Sequence, residues 1–253
     1  MAYLQGSFPI IQKQQFNSDT YSFYIRCPEM AAQTVPGQFV NLKIPGFSLR
    51  RPISVCQRDD EVLRLVFQIR GEGTKELAAL EPGMKADLLG PLGNGFPQLP
   101  PKAKVILAGG GIGVPPLLAL AQVYGRNATA LLGFRNKESL ILEGEFAAEC
   151  DTRVATDDGS FGYHGFVTGL LERRLSEGPA DMIFACGPLA MLKGIADIAE
   201  KNQIPCKVSV EERMACGIGA CLVCACRTVR DGKEIYSHVC TDGPVFDSRE
   251  VVL

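Results

Sequence analysis

Apolar side chains recur at every second position in three stretches of the first hundred residues: 21–26 (YSFYIR), 38–44 (QFVNLKI) and 63–69 (LRLVFQI). A period of two is the signature of a β-strand with one face buried. Turn-like segments at 35–37 (VPG) and 44–46 (IPG) punctuate the strands. Short strands at this spacing predict a small antiparallel barrel. Residues 71–80 (GEGTKELAAL) read as a short helix, and 97–101 (PQLPP) as a stiff linker that marks a boundary.

From Lys102 the period changes. Residues 105–108 (VILA) form a continuous apolar run, followed by a glycine loop at 109–113 and a helical pattern at 115–123 (PPLLALAQV). A second buried strand is predicted at 128–134 (ATALLGF), a helix at 143–150, a strand at 152–156, a helix at 165–175, a strand at 182–185 (MIFA) and a helix at 189–201. Strands alternating with helices imply right-handed crossovers and a doubly wound parallel α/β sheet. Past Pro205 the chain becomes a cysteine-rich tail. The expected division is 1–100, 101–205 and 206–253, with no internal repeat.

Composition narrows the picture. Hydrophobic content of 46% is ample for sizeable cores, and a formal charge of −2 supplies no basic field for nucleic acid. No signal peptide opens the chain, and no run of about 18 apolar residues could span a bilayer. Of ten cysteines, six are scattered singly, mostly in apolar surroundings. That usage fits a reducing compartment, with thiols as small core residues, and predicts a cytoplasmic protein without membrane or nucleic-acid partners.

The other four cysteines, Cys216, Cys221, Cys224 and Cys240, read C-x4-C-x2-C followed by fifteen residues and a fourth Cys. Plant-type [2Fe–2S] ferredoxins use the same first spacings with a distant fourth thiolate. The intervening segment from Ala215 to Cys221 (ACGIGAC) is small or flexible, so several backbone N–H groups can turn toward cluster sulfurs. Structural zinc is the alternative, although zinc more often takes two C-x2-C pairs or Cys/His mixtures, and His238 is the one nearby histidine. Unliganded core thiols are the third reading. Cys226, two residues beyond Cys224, is surplus to a four-thiolate cluster and reads as packing.

Further candidate chemistry lies upstream. Gly109, Gly110, Gly111 and Gly113 join a strand to a helix, where glycines admit close approach of a pyrophosphate and a helix N-terminus offers free N–H donors. Val114 stands where a G-x-G-x-x-G motif would end, and a tight turn without ligand is the competing reading. Asp157 and Asp158 follow the third strand of this region, where a carboxylate can accept from ribose hydroxyls, or simply be solvated. Cys186, Gly187 and Pro188 end the fourth strand at the same edge, or form a plain turn. Arg50, Arg51, Pro52, Ile53 and Ser54 follow a predicted strand. An arginine there can pair with a phosphate, and Ser54 can hydrogen-bond a flavin ring nitrogen; a surface Arg–Pro turn is the bland alternative.

The order of these pieces carries more than any one of them. Arg51–Pro52–Ile53–Ser54, then Gly71-x-Gly73–Thr74, then the glycine loop, then Cys186–Gly187–Pro188 resembles the ferredoxin–NADP reductase superfamily throughout. The resemblance implies an FAD-binding barrel over 1–100, lined by Arg51 to Ser54, by Val66, Phe67 and Gln68, and by Gly73 and Thr74. It implies an NAD-binding α/β domain over 101–205, with Gly109, Gly110, Gly111, Gly113, Asp157, Cys186, Gly187 and Pro188 holding the nucleotide and Cys186 near the nicotinamide. Members that bind NADPH place a Ser–Arg pair where Thr156–Asp157–Asp158 stands here, a departure that implies NADH. The tail, residues 211–221 (EERMACGIGAC) with Cys224, Cys240 and 242–246 (DGPVF), closely resembles the electron-transfer subunits of class 1B dihydroorotate dehydrogenases. A related flavin subunit, that of NADH-dependent ferredoxin–NADP reductase, has Asp at the position of Cys216.

The resemblance implies [2Fe–2S] binding by 206–253 and a wire from NAD(H) through FAD and the cluster to a partner. FAD must sit between the two, because NADH exchanges hydride and the cluster single electrons. The implied partner is an FMN-containing catalytic subunit that oxidises dihydroorotate in pyrimidine biosynthesis, in a heterotetramer of two copies each. Sulfite-reductase and hydrogenase diaphorase subunits share the plan, and a zinc-binding nucleotide-sensing module is the alternative outside redox chemistry. No general base is expected of this chain: neither His164 nor His238 lies in a nucleophile or base motif.

Overall fold

The computed structural model describes residues 3–253. Six strands, β1 (Leu4–Gln15), β2 (Thr20–Arg26), β3 (Phe39–Lys43), β4 (Arg51–Arg58), β5 (Val62–Gln68) and β6 (Lys85–Leu92), close an antiparallel barrel in the order β1-β2-β5-β4-β3-β6. Alternation decides which way each strand faces. Val40 and Leu42 of β3, Phe23 and Ile25 of β2, and Leu63, Leu65 and Phe67 of β5 fill the interior, where Phe67 packs edge-on against Phe23 at 5.1 Å. Two short helices, α1 (Pro28–Gln33) and α2 (Glu72–Ala78), pack Met30, Ala31 and Leu77 into the same core. Arg51 to Ser54 follow β3, as the sequence implies, and themselves open β4, so their side chains point alternately in and out along the ladder.

The second domain is a seven-stranded sheet built on β7 (Val105–Gly110), β8 (Ala128–Phe134), β9 (Asp151–Thr156), β10 (Tyr163–His164), β11 (Met182–Cys186) and β12 (Cys206–Ser209), with β15 (Val245–Asp247) at one edge. The order is β10-β9-β8-β7-β11-β12-β15, parallel except for β15, which runs antiparallel to β12. Helices α3 (Leu118–Tyr124), α4 (Glu143–Glu149), α5 (Val167–Ser176) and α6 (Leu189–Lys201) cover its two faces. The continuous apolar runs have a simple cause. Val105 and Leu107 pack with α3 and α4 on one face, whereas Ile106 and Ala108 pack with α5 and α6 on the other. Strand order reverses between β7 and β11, the switch point at which doubly wound sheets bind ligands.

Two helices start later than their sequence patterns suggest. Pro115–Leu117 is a 3₁₀ turn, and α3 begins at Leu118. Helix α5 begins at Val167, because Gly165 has φ +133° and Phe166 is extended.

The cysteine-rich tail is stitched to both domains. Strand β15 completes the sheet, and Thr228 and Val251 bridge the tail's own hairpin, β13 (Ala225–Arg230) and β14 (Lys233–His238), to its end. Asn94, just past the barrel, donates through Nδ2 to Thr241 O at 2.9 Å and Asp242 O at 3.2 Å. The barrel and sheet are joined by Arg64 of β5, almost fully buried, which pairs in bidentate fashion with Glu145 of α4. Phe96 against Phe184 at 5.3 Å adds an apolar seam.

Candidate functional site

The cluster cysteines come together as two pairs. Gly217 and Gly219 adopt φ +79° and +81°, and the loop they shape turns backbone N–H groups onto sulfur. Ile218 N and Cys221 N each donate to Cys216 Sγ at 3.4 Å, Cys216 N donates to Cys221 Sγ at 3.5 Å, and Gly219 N donates to Cys240 Sγ at 3.2 Å. Burial raises the Cys216 thiol. The N–H of Ile218, the Cys221 thiol and the N–H of Cys221 outweigh that and bring it down to about 7. Cys240 is pushed the other way, to about 12, by burial and by the adjoining Cys224 thiol, with Gly219 N–H partly offsetting them.

Cys216 thus lies beside Cys221 and Cys224 beside Cys240. Among the described residues no three metal-binding side chains close on one point. Two thiolates for each of two irons is the donor set a [2Fe–2S] rhomb takes, with inward N–H groups to tune it. The donor chemistry therefore fits the cluster. Cys226 is buried in β13 within the apolar core, as its surplus position implies. Cys221 itself is exposed, amid Ile218, Leu222 and Val223, which are 38%, 60% and 52% exposed.

On the barrel, Arg51 and Gly73 meet. The Arg51 guanidinium stacks on the Phe47 ring at 5.3 Å and donates to Leu49 O at 2.8 Å. A β-carbon at Gly73 would lie 2.6 Å from Arg51 Nη2, so only glycine lets the guanidinium rest against the start of α2. Thr74 Oγ1 accepts from Arg70 N at 2.7 Å and fixes the turn into α2. Val66 and Phe67 are buried with their side chains in apolar cores, and Gln68 donates to Asp19 Oδ2 at 2.8 Å. Along this strand the side chains of Val66 and Phe67 are committed to packing, which leaves backbone to meet a ligand.

At the sheet's switch point the glycine loop and the Cys186–Gly187–Pro188 turn touch. Gly109 pairs with Cys186 across β7 and β11, and a β-carbon at Gly113 would sit 2.6 Å from Gly187 Cα. The Cys186 thiol is buried and pushed up to about 12, first by burial and then by the Glu211 carboxylate, with a bond to Ser209 working against them. It is held as a neutral thiol. Asp157 and Asp158 occupy the same edge after β9 but differ. Asp158 Oδ1 is taken by Ser160 N at 3.0 Å and Ser160 Oγ at 2.6 Å, which lowers its pKa; Asp157 is tied by its backbone, N–H to Phe134 O. The Asp157 side chain is exposed.

One site residue escaped the sequence reading. Asn41 of β3 is fully buried and its Nδ2 reaches the carbonyls of Ala215 and Cys216. In the strand pattern it is an ordinary outward polar position, and the contact spans 174 and 175 residues of sequence.

Comparison with known proteins points to one family. Residues 211–252 match the model of the iron–sulfur cluster binding domain of dihydroorotate dehydrogenase B. The chain is 41% identical over 255 residues to the dihydroorotate dehydrogenase B (NAD(+)) electron transfer subunit of Geobacillus thermodenitrificans, covering 96% of this chain and 97% of the relative. It is 45% identical over 228 residues to that of Geobacillus kaustophilus, covering 86% and 87%, and 40% identical over 243 residues to that of Desulforamulus reducens, covering 92% and 93%. Among solved structures, a chain of the NADH-dependent reduced ferredoxin–NADP oxidoreductase superposes with a TM-score of 0.88 at 31% identity, covering 98% of this chain and 90% of that one. A ferredoxin NADP+ reductase from Neisseria gonorrhoeae with bound FAD and NADP shares the fold at TM-score 0.62 and 18% identity, covering 78% and 91%.

Proposed function

The chain belongs to the electron transfer subunits of dihydroorotate dehydrogenase B (NAD(+)), and on that premise we propose that it carries electrons from an FMN-bearing catalytic subunit to NAD+. It is the redox subunit of an NAD-linked oxidoreductase in pyrimidine biosynthesis. Its cofactors are FAD and a [2Fe–2S] cluster, with NAD(H) as co-substrate. FAD supplies the exchange between hydride chemistry at the nicotinamide and single-electron chemistry at the cluster.

The chain's own residues bind and place these groups. Cys216, Cys221, Cys224 and Cys240 would hold the two irons. Arg51, held flat on Phe47 and against Gly73, would meet the FAD pyrophosphate, with Pro52, Ile53 and Ser54 under the flavin ring and Thr74 near the phosphates. Gly109, Gly110, Gly111 and Gly113 would take the NAD pyrophosphate, and Asp157 the adenosine ribose hydroxyls, which favours NADH over its phosphorylated relative. Cys186 Sγ keeps its proton, so no thiolate competes for the nicotinamide.

The observation that carries this reading is the seating of the cluster loop on the barrel. Asn41 and Asn94, both from the barrel side, bond the backbone flanking Cys216 and Cys240. On this reading the cluster and the flavin would lie against the same domain. The exposed Cys221, rimmed by Ile218, Leu222 and Val223, suits a partner surface, here a catalytic subunit in a heterotetramer of two copies each working in the cytoplasm. A sulfite- or hydrogen-metabolising partner is the reading this one displaces, on the strength of the relatives named above.

Replacing Cys221 with Ser tests the wire. The cluster signal in electron paramagnetic resonance and transfer to the partner should vanish while NADH still reduces FAD. Partner-dependent turnover that survives in Cys221→Ser would defeat the proposal.

A further inference from the structure

Strands β7 and β11 run side by side with Gly109 opposite Cys186, so the next residue on each, Gly110 and Gly187, leave the sheet as neighbours. Helix α6 then turns back over them. Met191 lies in its first turn, packed against the apolar core on that side of the sheet.

The end of the Met191 side chain occupies the room that both glycines leave. A β-carbon at Gly110 would stand 2.5 Å from Met191 Sδ and 3.0 Å from Pro188 Cδ, and one at Gly187 would stand 2.6 Å from Met191 Cε. Gly187 has φ +156°, a conformation that side chains rarely adopt, so its glycine has a backbone cause as well. Gly110 has none: its φ of −128° and ψ of 121° are ordinary extended backbone. What its missing side chain admits is the thioether. A β-carbon at Gly111, the next residue of the loop, would meet nothing within 4 Å.

We propose that Met191 is a positioning residue for nucleotide exchange. Its unbranched, deformable thioether fills the gap between the glycine loop and the Cys186–Gly187–Pro188 turn and holds the two at one spacing. Gly110 is glycine in order to receive Met191, which leaves the open side of the loop to the nucleotide. Met191 acts through the two backbones and is not itself a ligand group. The inference rests on the reading above that these loops hold NAD(H).

The test uses the purified complex and the NADH concentration dependence of flavin reduction, read by stopped-flow absorbance. Met191→Ala removes the support, and Gly110→Ala pushes its flexible end aside, so the two reach one perturbation from opposite sides. Each should weaken NADH binding by about tenfold, less than the order of 10²-fold that a full misplacement of about 1 Å costs. Independent sites would multiply to about a hundredfold in the double variant, whereas here it should stay near the value of either single. Reduction of FAD from the partner side should remain within about twofold of the parent throughout. Met191→Leu, which keeps a carbon near the sulfur position, should recover most of the loss. Parental NADH binding in Met191→Ala would overturn the proposal. So would a double variant at the product of the singles, which would make Gly110 a glycine for the nucleotide. Should Met191→Ala not fold, Met191→Val, whose side chain stops one atom short of the sulfur, closes the same cycle; unfolding of both would overturn the proposal in favour of a purely structural residue. A parent complex whose flavin NADH does not reduce would refute the nucleotide assignment itself, before any variant is made.

Discussion

Gly113→Ala is expected to disable nucleotide exchange while leaving the rest of the electron path intact. Gly113 is not in the left-handed region, so its backbone accepts alanine and the cost is purely one of space. A β-carbon there would stand 2.5 Å from Cys186 C and 2.6 Å from Gly187 Cα. Carbon atoms prefer about 3.5–4.0 Å, and both obstacles are backbone, so one of the two loops must retreat by about 1 Å. Overpacking of this kind costs about 1–3 kcal/mol, which a folded domain survives. A displacement of about 1 Å in a reacting geometry costs on the order of 10²-fold in rate, so NADH reduction of FAD should fall by about that factor. Stopped-flow absorbance of the flavin reads this directly, with reduction of the same variant from the partner side as internal control. Gly144→Ala, at a position with nothing within 4 Å, provides a neutral comparison. A folded Gly113→Ala complex that NADH reduces at the parental rate would show that the two loops do not hold the nucleotide.

Three other perturbations separate stability from function. Glu145→Gln leaves the buried Arg64 with a weaker partner across the barrel–sheet boundary; because the Glu145 side chain is 41% exposed, the loss should be about 1–2 kcal/mol in urea unfolding, below the cost for a fully buried pair. An unchanged midpoint would mean the clamp is idle. Asp247, at the end of the shared sheet, resists burial through bonds from Arg249 and Lys207 that bring its carboxyl down to about 2 from an ordinary 3.8. Its folded value is the lower one, so its contribution, about 1–2 kcal/mol, is complete above pH 4 and lost as pH falls toward 2; Asp247→Asn should flatten that part of the acid unfolding curve, and an identical curve would refute the assignment. Leu222→Asp should weaken partner binding about tenfold or more in a titration, because a charge replaces an apolar contact beside Cys221, while NADH reduction of FAD is untouched. Parental affinity would place the partner elsewhere.

The sheet was legible because burial on both faces writes itself as unbroken apolar runs: VILA, ATALLGF and MIFA are β7, β8 and β11. The barrel was legible only in part. Strand β1, LQGSFPIIQKQQ, is too polar and too irregular to alternate cleanly, and its register shifts between Ile10 and Gln12. Strand β4 opens on Arg–Pro, which also reads as a surface turn and yet lies in the ladder. The hairpin of β13 and β14 presents largely polar or exposed positions and gives no apolar signal. The meeting of Cys216 with Cys221 was readable from spacing because one short loop carries both. Asn41 was not, since its meaning comes from a loop brought over it by the fold, and nothing in QFVNLKI announces that encounter. The distinction between Asp157 and Asp158 likewise needed the turn through Ser160.

The most direct measurement is anaerobic reduction of NAD+ by dihydroorotate, in complex isolated natively through a tag on this chain. The account predicts activity that disappears when the co-purifying subunit is stripped away and returns when it is restored. A brown, NADH-reducible preparation that leaves dihydroorotate untouched would contradict it, and the co-purifying subunit would then identify the substrate these electrons come from.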